Sequence, residues 1–186
     1  MSRSAKLLLA LLGTFMVGAV VGVMVARANP EFADSVVEGI RRLLGGGSKL
    51  PDGFELFLMI FLNNARVAAI MAFGGIAFGI VPFAVLLFNG MIVGIVVQHV
   101  IGTGEPLGKV LLTIVPHGVI EIPAFAIAGL GGLEWFLEVV EGKGKMEKRM
   151  KRGLKKMLRR LALSIALLFV AALVEAFVTP ELAGVG

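Results

Sequence analysis

The sequence contains no cysteine among its 186 residues. That excludes a disulfide framework, a thiolate metal site and a thiol nucleophile. Histidine is nearly as scarce, with His99 and His117 the two present. A catalytic zinc site takes three protein ligands, and His117 with Glu121 at i,i+4 supplies two on one helix face, leaving His99, near the far end of another segment, as the remaining imidazole. Neither a Gly-x-Ser-x-Gly elbow nor a His-Glu-x-x-His pair occurs, so the usual residues of serine and zinc hydrolases are missing. The reading is a chain with no catalytic residues, no metal and no cofactor, with an intramembrane enzyme as a remote alternative. A single Gln and four Asn suit a hot-growing source, where thermolabile residues are few.

Charge is also sparse, at 17% of residues, whereas 58% are hydrophobic and the mean hydropathy is +0.94. Soluble domains seldom carry apolar runs of this length. Leu7–Ala26, Phe54–Ile80, Phe83–Ile101, Val110–Leu133 and Leu161–Val178 each approach or exceed the roughly 20 residues that cross a hydrocarbon core as a helix. The sequence therefore predicts an all-α, polytopic membrane protein of about five spans forming a single transmembrane domain over residues 1–186. Arg3 and Lys6 followed by an apolar stretch resemble a secretory leader, but that stretch exceeds a leader's usual ~7–15 residues, and it is read as a retained first span.

The basic residues are clustered. Ten of the 18 fall between Lys143 and Arg160. A basic run beside a span is a topology signal, and without aromatic platforms it does not point to nucleic acid. Placing Arg3, Lys6 and this block on one side needs an even number of crossings, which the first four spans supply. The expected topology is a cell-membrane, multi-pass protein with its N-terminus cytoplasmic and its C-terminus outside. Within residues 143–160, Met146, Met150, Leu154, Met157, Leu158 and Leu161 recur at helical spacing. The remaining positions, Lys148, Arg149, Lys151, Arg152, Lys155, Lys156, Arg159 and Arg160, make a basic face suited to anionic lipid headgroups. Outside, residues 32–44 show an apolar stripe that predicts a short amphipathic helix, capped at Asp34 or Ser35, on the membrane surface or packed as a lid.

Glycine spacing forms a second pattern. Gly18 and Gly22, Gly75 and Gly79, and Gly90 and Gly94 lie four residues apart, an arrangement that lets helix backbones approach closely in a tight bundle, in a homo-oligomer or against other membrane proteins.

Polar groups at mid-span depth are functional candidates because charge there is unfavourable. Arg66 lies roughly 18 Å along its span at about 1.5 Å per residue, and Glu121 at a similar depth in the fourth. The sequence predicts that they form a buried ion pair, surrounded by Asn63, Asn64, Asn89 and His117. That cluster reads either as a satisfied network specifying helix packing or as a substrate or ion site. Pro116, Gly118 and Pro123 predict a broken fourth span, a device that transporters use near the midplane.

Asn63-Asn64, the Gly75–Gly79 stretch, Asn89-Gly90 with Gly94, and above all Pro116-His117-Gly118-x-x-Glu121 resemble the stage II sporulation protein M family. The resemblance spans about Phe54 to Gly132, and the flanking spans fit the family's size. It implies an integral membrane protein without demonstrated enzymatic chemistry, acting as an anchor or scaffold. In spore formers such members work with cell-wall hydrolases during engulfment. Relatives also occur in archaea, and the few Gln and Asn fit an archaeal or thermophile member. The first reading is thus a membrane scaffold or assembly component; the alternative is a transporter or channel subunit with a midplane polar site.

Overall fold

The structure is a computed structural model that describes residues 1–43, 53–104 and 107–179, without the side chains at 41, 43 and 107–117. Six helices follow one another: α1 (Arg3–Ala28), α2 (Pro30–Leu43), α3 (Gly53–Gly74), α4 (Ile80–Gly102), α5 (Leu107–Glu141) and α6 (Met146–Leu173), the last extended by a π-helical turn, Val174–Val178. Five of them are long and apolar enough to cross a membrane. The described residues contain no strand, as expected where lipid leaves backbone groups no partner outside their own helix.

Local signals set the helix ends. Ser2 opens α1 by accepting a hydrogen bond from the Ala5 backbone N at 3.2 Å. Asn29 serves two helices. Its backbone N donates to the Val25 carbonyl at 2.9 Å, closing α1, while its side-chain oxygen accepts from the Phe32 N at 3.1 Å, opening α2. Pro30 then occupies the first helical position, where its missing N–H is no loss. The amphipathic segment therefore begins at Pro30, and its cap is Asn29 rather than Asp34 or Ser35. Leu44, the end of the expected segment, lies outside the described residues.

α3 ends at Gly74, earlier than its apolar run, and residues 75–79 turn directly into α4. The reversal places Phe78 and Gly79 in the left-handed region, at φ 56° and 70°. Glycine adopts that conformation freely, whereas phenylalanine is strained in it. The Gly75–Gly79 spacing is thus a turn and not a helix face.

α5 differs most from expectation. It runs unbroken from Leu107 to Glu141, through Pro116, Gly118 and Pro123. A proline removes one bond from the ladder and can bend a helix without ending it. Breaking the helix outright would leave further backbone groups unpaired in hydrocarbon, where each costs several kcal/mol.

The helices pack around α5, which touches α1, α3, α4 and α6. The most extensive seam joins α1 to α4, and the next joins α5 to α6. α1 and α4 run parallel with their backbones in contact. A Cβ on Gly18 would sit 2.2 Å from the Leu87 carbonyl oxygen, and one on Gly90 would sit 2.1 Å from that of Phe15. Gly22 and Gly94 repeat the contact one turn on, against Met91 and Ala19. Gly75 meets Gly132 in the same manner, a Cβ there falling 2.4 Å from the Gly132 Cα. Leu11, Met71, Leu86, Leu130, Met157 and Leu168 fill the interior from all five spans. Leu9, Met16, Val20, Leu62, Phe88 and Leu163 stay exposed on the outside, the surface that hydrocarbon covers.

Candidate functional site

Charge gathers at one end of the bundle, where α1 begins, α5 ends and α6 begins. Glu134, Glu138 and Glu141 recur at helical spacing along one stripe of α5, and the Gly142–Lys145 connection folds α6 back beside it. Glu138 accepts from Arg152 Nε at 3.0 Å and from Lys156 Nζ at 2.9 Å. Glu134 accepts from the Ser4 hydroxyl at 2.7 Å and from Arg160 Nη2 at 3.2 Å. Arg3 grips Glu141 with both terminal nitrogens, one of them at 2.9 Å. Arg149 donates to the Val140 and Gly142 carbonyls, satisfying the end of α5. The backbones of α1 and α6 stay apart among the described residues, and the carboxylates of α5 bridge them. A cleft of about 750 Å³ lies between the two helices, lined by Arg3, Ser4, Glu134, Glu138, Lys156 and Arg160 among others.

This arrangement divides the basic face. Arg152, Lys156 and Arg160 recur every four residues and point at α5, while Lys151 pairs with Glu147 one turn before it. Lys148, Lys155 and Arg159 have no ionic partner among the described residues. The sequence carried a readable signal for the cluster: carboxylates at 134, 138 and 141 facing cations at 152, 156 and 160 across a glycine-bounded connection. Reading the run as a topology marker and a headgroup-facing surface missed it.

At the opposite end α2 packs across α1 and α4. Ala33 is buried with Ala26 and Ile95, and Asp34 meets His99 Nδ1 at 2.9 Å. Arg27 Nε donates to Gln98 at 2.9 Å. A cavity of about 440 Å³ lies among these residues. The helix is thus tied to the ends of two spans, with its Phe32 side exposed.

The mid-span groups do not form the expected cluster. Asn64 is buried and accepts from Asn63 Nδ2 at 3.3 Å, while Asn63 itself is exposed. Asn89 turns back on α4, donating to the Val85 carbonyl at 2.8 Å. Arg66 is exposed and makes no ion pair with Glu121; no carboxylate lies within salt-bridge distance of it among the described residues. Geometry explains the outcome. α3 buries Phe57, Asn64, Ala68 and Met71, and at about 100° per residue a position midway between Asn64 and Ala68 faces the other way. Arg66 therefore shares the outward stripe of Leu58, Leu62, Ile70 and Phe73. The face it takes was not legible in the sequence. On a lipid-facing surface such a cation is unfavourable by about 2.5–3.5 kcal/mol or more.

Glu121 is partly buried on α5, and Glu175, on the π-helical turn after α6, stands close enough for the two charges to interact. The antiparallel α5–α6 pairing is what brings Glu175 near Glu121. Pro116 and His117 lie on α5, their side chains outside the described residues. Among the described residues no group of three or more His, Asp and Glu side chains is placed to hold a metal ion.

The family model of stage II sporulation protein M matches residues 11–180. The chain is also similar to an uncharacterized protein of Methanocaldococcus jannaschii, 35% identical over 129 residues, which cover 68% of this chain and 72% of that one. No solved structure matches. With a match that covers most of the first span and the other four, and an archaeal relative of comparable length, this chain belongs to the stage II sporulation protein M family.

Proposed function

We propose that the chain is a non-enzymatic membrane scaffold or assembly component. The observation that supports this most is the bare-backbone packing at Gly18, Gly22, Gly90 and Gly94, together with Gly75 on Gly132. Such contacts tie α1 to α4 and α3 to α5 backbone to backbone, which favours a rigid block over the moving helix groups that a transporter needs. The ion-paired end adds a second tie, holding α1 and α6 to α5. A rigid block of this kind suits the holding of other components in the membrane. By the positive-inside bias, the Arg3 and Lys143–Arg160 end faces the cytoplasm, with Lys148, Lys155 and Arg159 reaching anionic headgroups.

The second reading, transport, draws support from Glu121 and Glu175, two carboxylates close to each other, the latter on a π-helical turn. Such turns recur at functional sites. Liposomes carrying the purified protein separate the two readings. A scaffold passes ions and small solutes no faster than empty vesicles. Flux well above that baseline, lost on Glu121→Gln with the fold intact, would establish transport instead.

A further inference from the structure

The cleft between α1 and α6 has a charge that its own ion pairs do not use up. Of the cations lining it, Arg3 pairs with Glu141, Lys156 with Glu138 and Arg160 with Glu134. Arg159, exposed on the α6 wall, has no ionic partner among the described residues. The lining thus sets four cations against three carboxylates, one positive charge in excess. Its depth follows from a glycine contact. Gly132 touches Gly75, the residue after the end of α3, and Glu134 lies two residues further along α5. The Glu134 level is therefore where the spans give way to headgroups. Towards the hydrocarbon each wall changes from charged to apolar within about one turn, Arg3 being followed by Leu7 on α1 and Arg159 by Leu163 on α6. At about 1.5 Å per residue both leucines lie roughly 6 Å deeper than those cations. Leu163 is exposed on the lipid-covered outside, so the cleft opens towards the bilayer.

We propose that the cleft seats the head of one anionic phospholipid, with its phosphodiester on Arg159 and its first acyl carbons between Leu7 and Leu163. A phosphodiester carries a single negative charge, which matches the one cation in excess. Arg160 binds Glu134 through Nε and Nη2, which leaves Nη1 for a second phosphate oxygen. Basic pockets between spanning helices recognise anionic headgroups in this way. The volume of about 750 Å³ falls within the roughly 300–1,000 Å³ of small-molecule sites. A zwitterionic head would bring its ammonium group among these cations, because the carboxylates are already taken. Free phosphate would meet the charge and leave the leucines uncovered, so the two halves of the cleft together select a lipid. Such a seat goes beyond contact of the exposed basic face with headgroups in general, and it holds whether the chain is a scaffold or a transporter. The lipid then ties α1 to α6, whose backbones stay apart among the described residues.

The test is native mass spectrometry of the purified full chain, titrated with phosphatidylglycerol or with phosphatidylcholine of the same acyl chains. One phosphatidylglycerol per chain is expected to be retained, about ten-fold more tightly than phosphatidylcholine. Arg159→Gln is expected to weaken its retention about five-fold or more, the effect of losing one cation beside a headgroup. Leu163→Trp narrows the cleft without changing any charge and is expected to weaken retention as well. Lys6→Gln removes a cation of the same end from outside the cleft and is expected to leave retention unchanged. Phosphatidylcholine held as tightly, or Lys6→Gln as damaging as Arg159→Gln, would overturn the proposal and leave only diffuse attraction to the basic end. Wild-type retention by folded Leu163→Trp would overturn it too. So would displacement of the lipid by an equal concentration of glycerol phosphate, which would mark a site for soluble phosphate. Circular dichroism checks folding. If Leu163→Trp does not fold, Arg159→Gln set against Lys6→Gln still decides, because both side chains are exposed.

Discussion

The bundle is held in two different ways along its length. Through the middle of the bundle, backbone lies on backbone at Gly18, Gly22, Gly90 and Gly94, and among the described residues Arg66 and Glu121 make no ion pair with each other. At the end bearing Arg3 and Arg160, no such glycine seam joins α1 to α6, and the carboxylates of α5 do the joining. The contrast follows from the solvent. Within hydrocarbon the hydrophobic effect cannot draw helices together, so close van der Waals contact decides. At the boundary water and headgroups are near, and ion pairs form without the full desolvation penalty of a buried charge. The chain completes its charges where they are inexpensive to pair, and it leaves Arg66, the one mid-span cation of α3, facing outward.

The largest break in this comparison comes from filling the glycine seam. Gly90→Leu drives a side chain into the Phe15 carbonyl and the backbone of Ala19, and overpacking of that kind costs about 1–3 kcal/mol or more. We expect loss of the folded protein from detergent, measured by size-exclusion recovery after heating; a chain as heat-resistant as the wild type would contradict the packing. Next comes Glu134→Leu, which leaves the Ser4 hydroxyl and Arg160 without their acceptor. Hydrogen bonds to a charged group contribute about 1.5–3 kcal/mol, and partial exposure at this end moves the expected loss towards the lower figure. A lower Tm in the variant, with added salt lowering the wild-type Tm more than the variant's, would identify the charge as the cause.

Smaller effects sharpen the mid-span side. Gly118 lies within α5, and a Cβ there meets only the Ile122 side chain at 3.9 Å. Gly118→Ala should therefore raise stability by about 0.5–1 kcal/mol through the entropy of the unfolded chain. A fall in Tm would mean that the helix needs a glycine there. Smallest of all, Arg66→Gln should leave unfolding of the monomer in detergent within about 0.5 kcal/mol of wild type, the usual range for a surface substitution. A large loss would show that Arg66 has an intrachain partner after all.

Class and span number were legible because apolar runs of such length have one physical solution. The glycine pairs were legible too, since small residues one turn apart are how helices approach in lipid, although Gly75–Gly79 turned out to be a chain reversal. The facing of the mid-span groups was not. α3 is apolar on every side, and lipid and protein interior select the same residues, so periodicity did not give the direction of Arg66. α5 misled for a related reason. Pro116 and Pro123 weaken a helix, but surroundings without water favour keeping what remains of it. Arg152, Lys156 and Arg160 were hidden among equally basic neighbours, and only the folded hairpin separates those that face Glu134 and Glu138 from those that do not.

The division between glycine packing through the bundle and ion pairing at its Arg3 end is tested most directly by measuring Tm against salt in the wild type, Gly90→Leu and Glu134→Leu. The account predicts that added salt lowers Tm in the wild type and in the folded part of Gly90→Leu, and lowers it less in Glu134→Leu. An equal salt dependence in all three chains would contradict it.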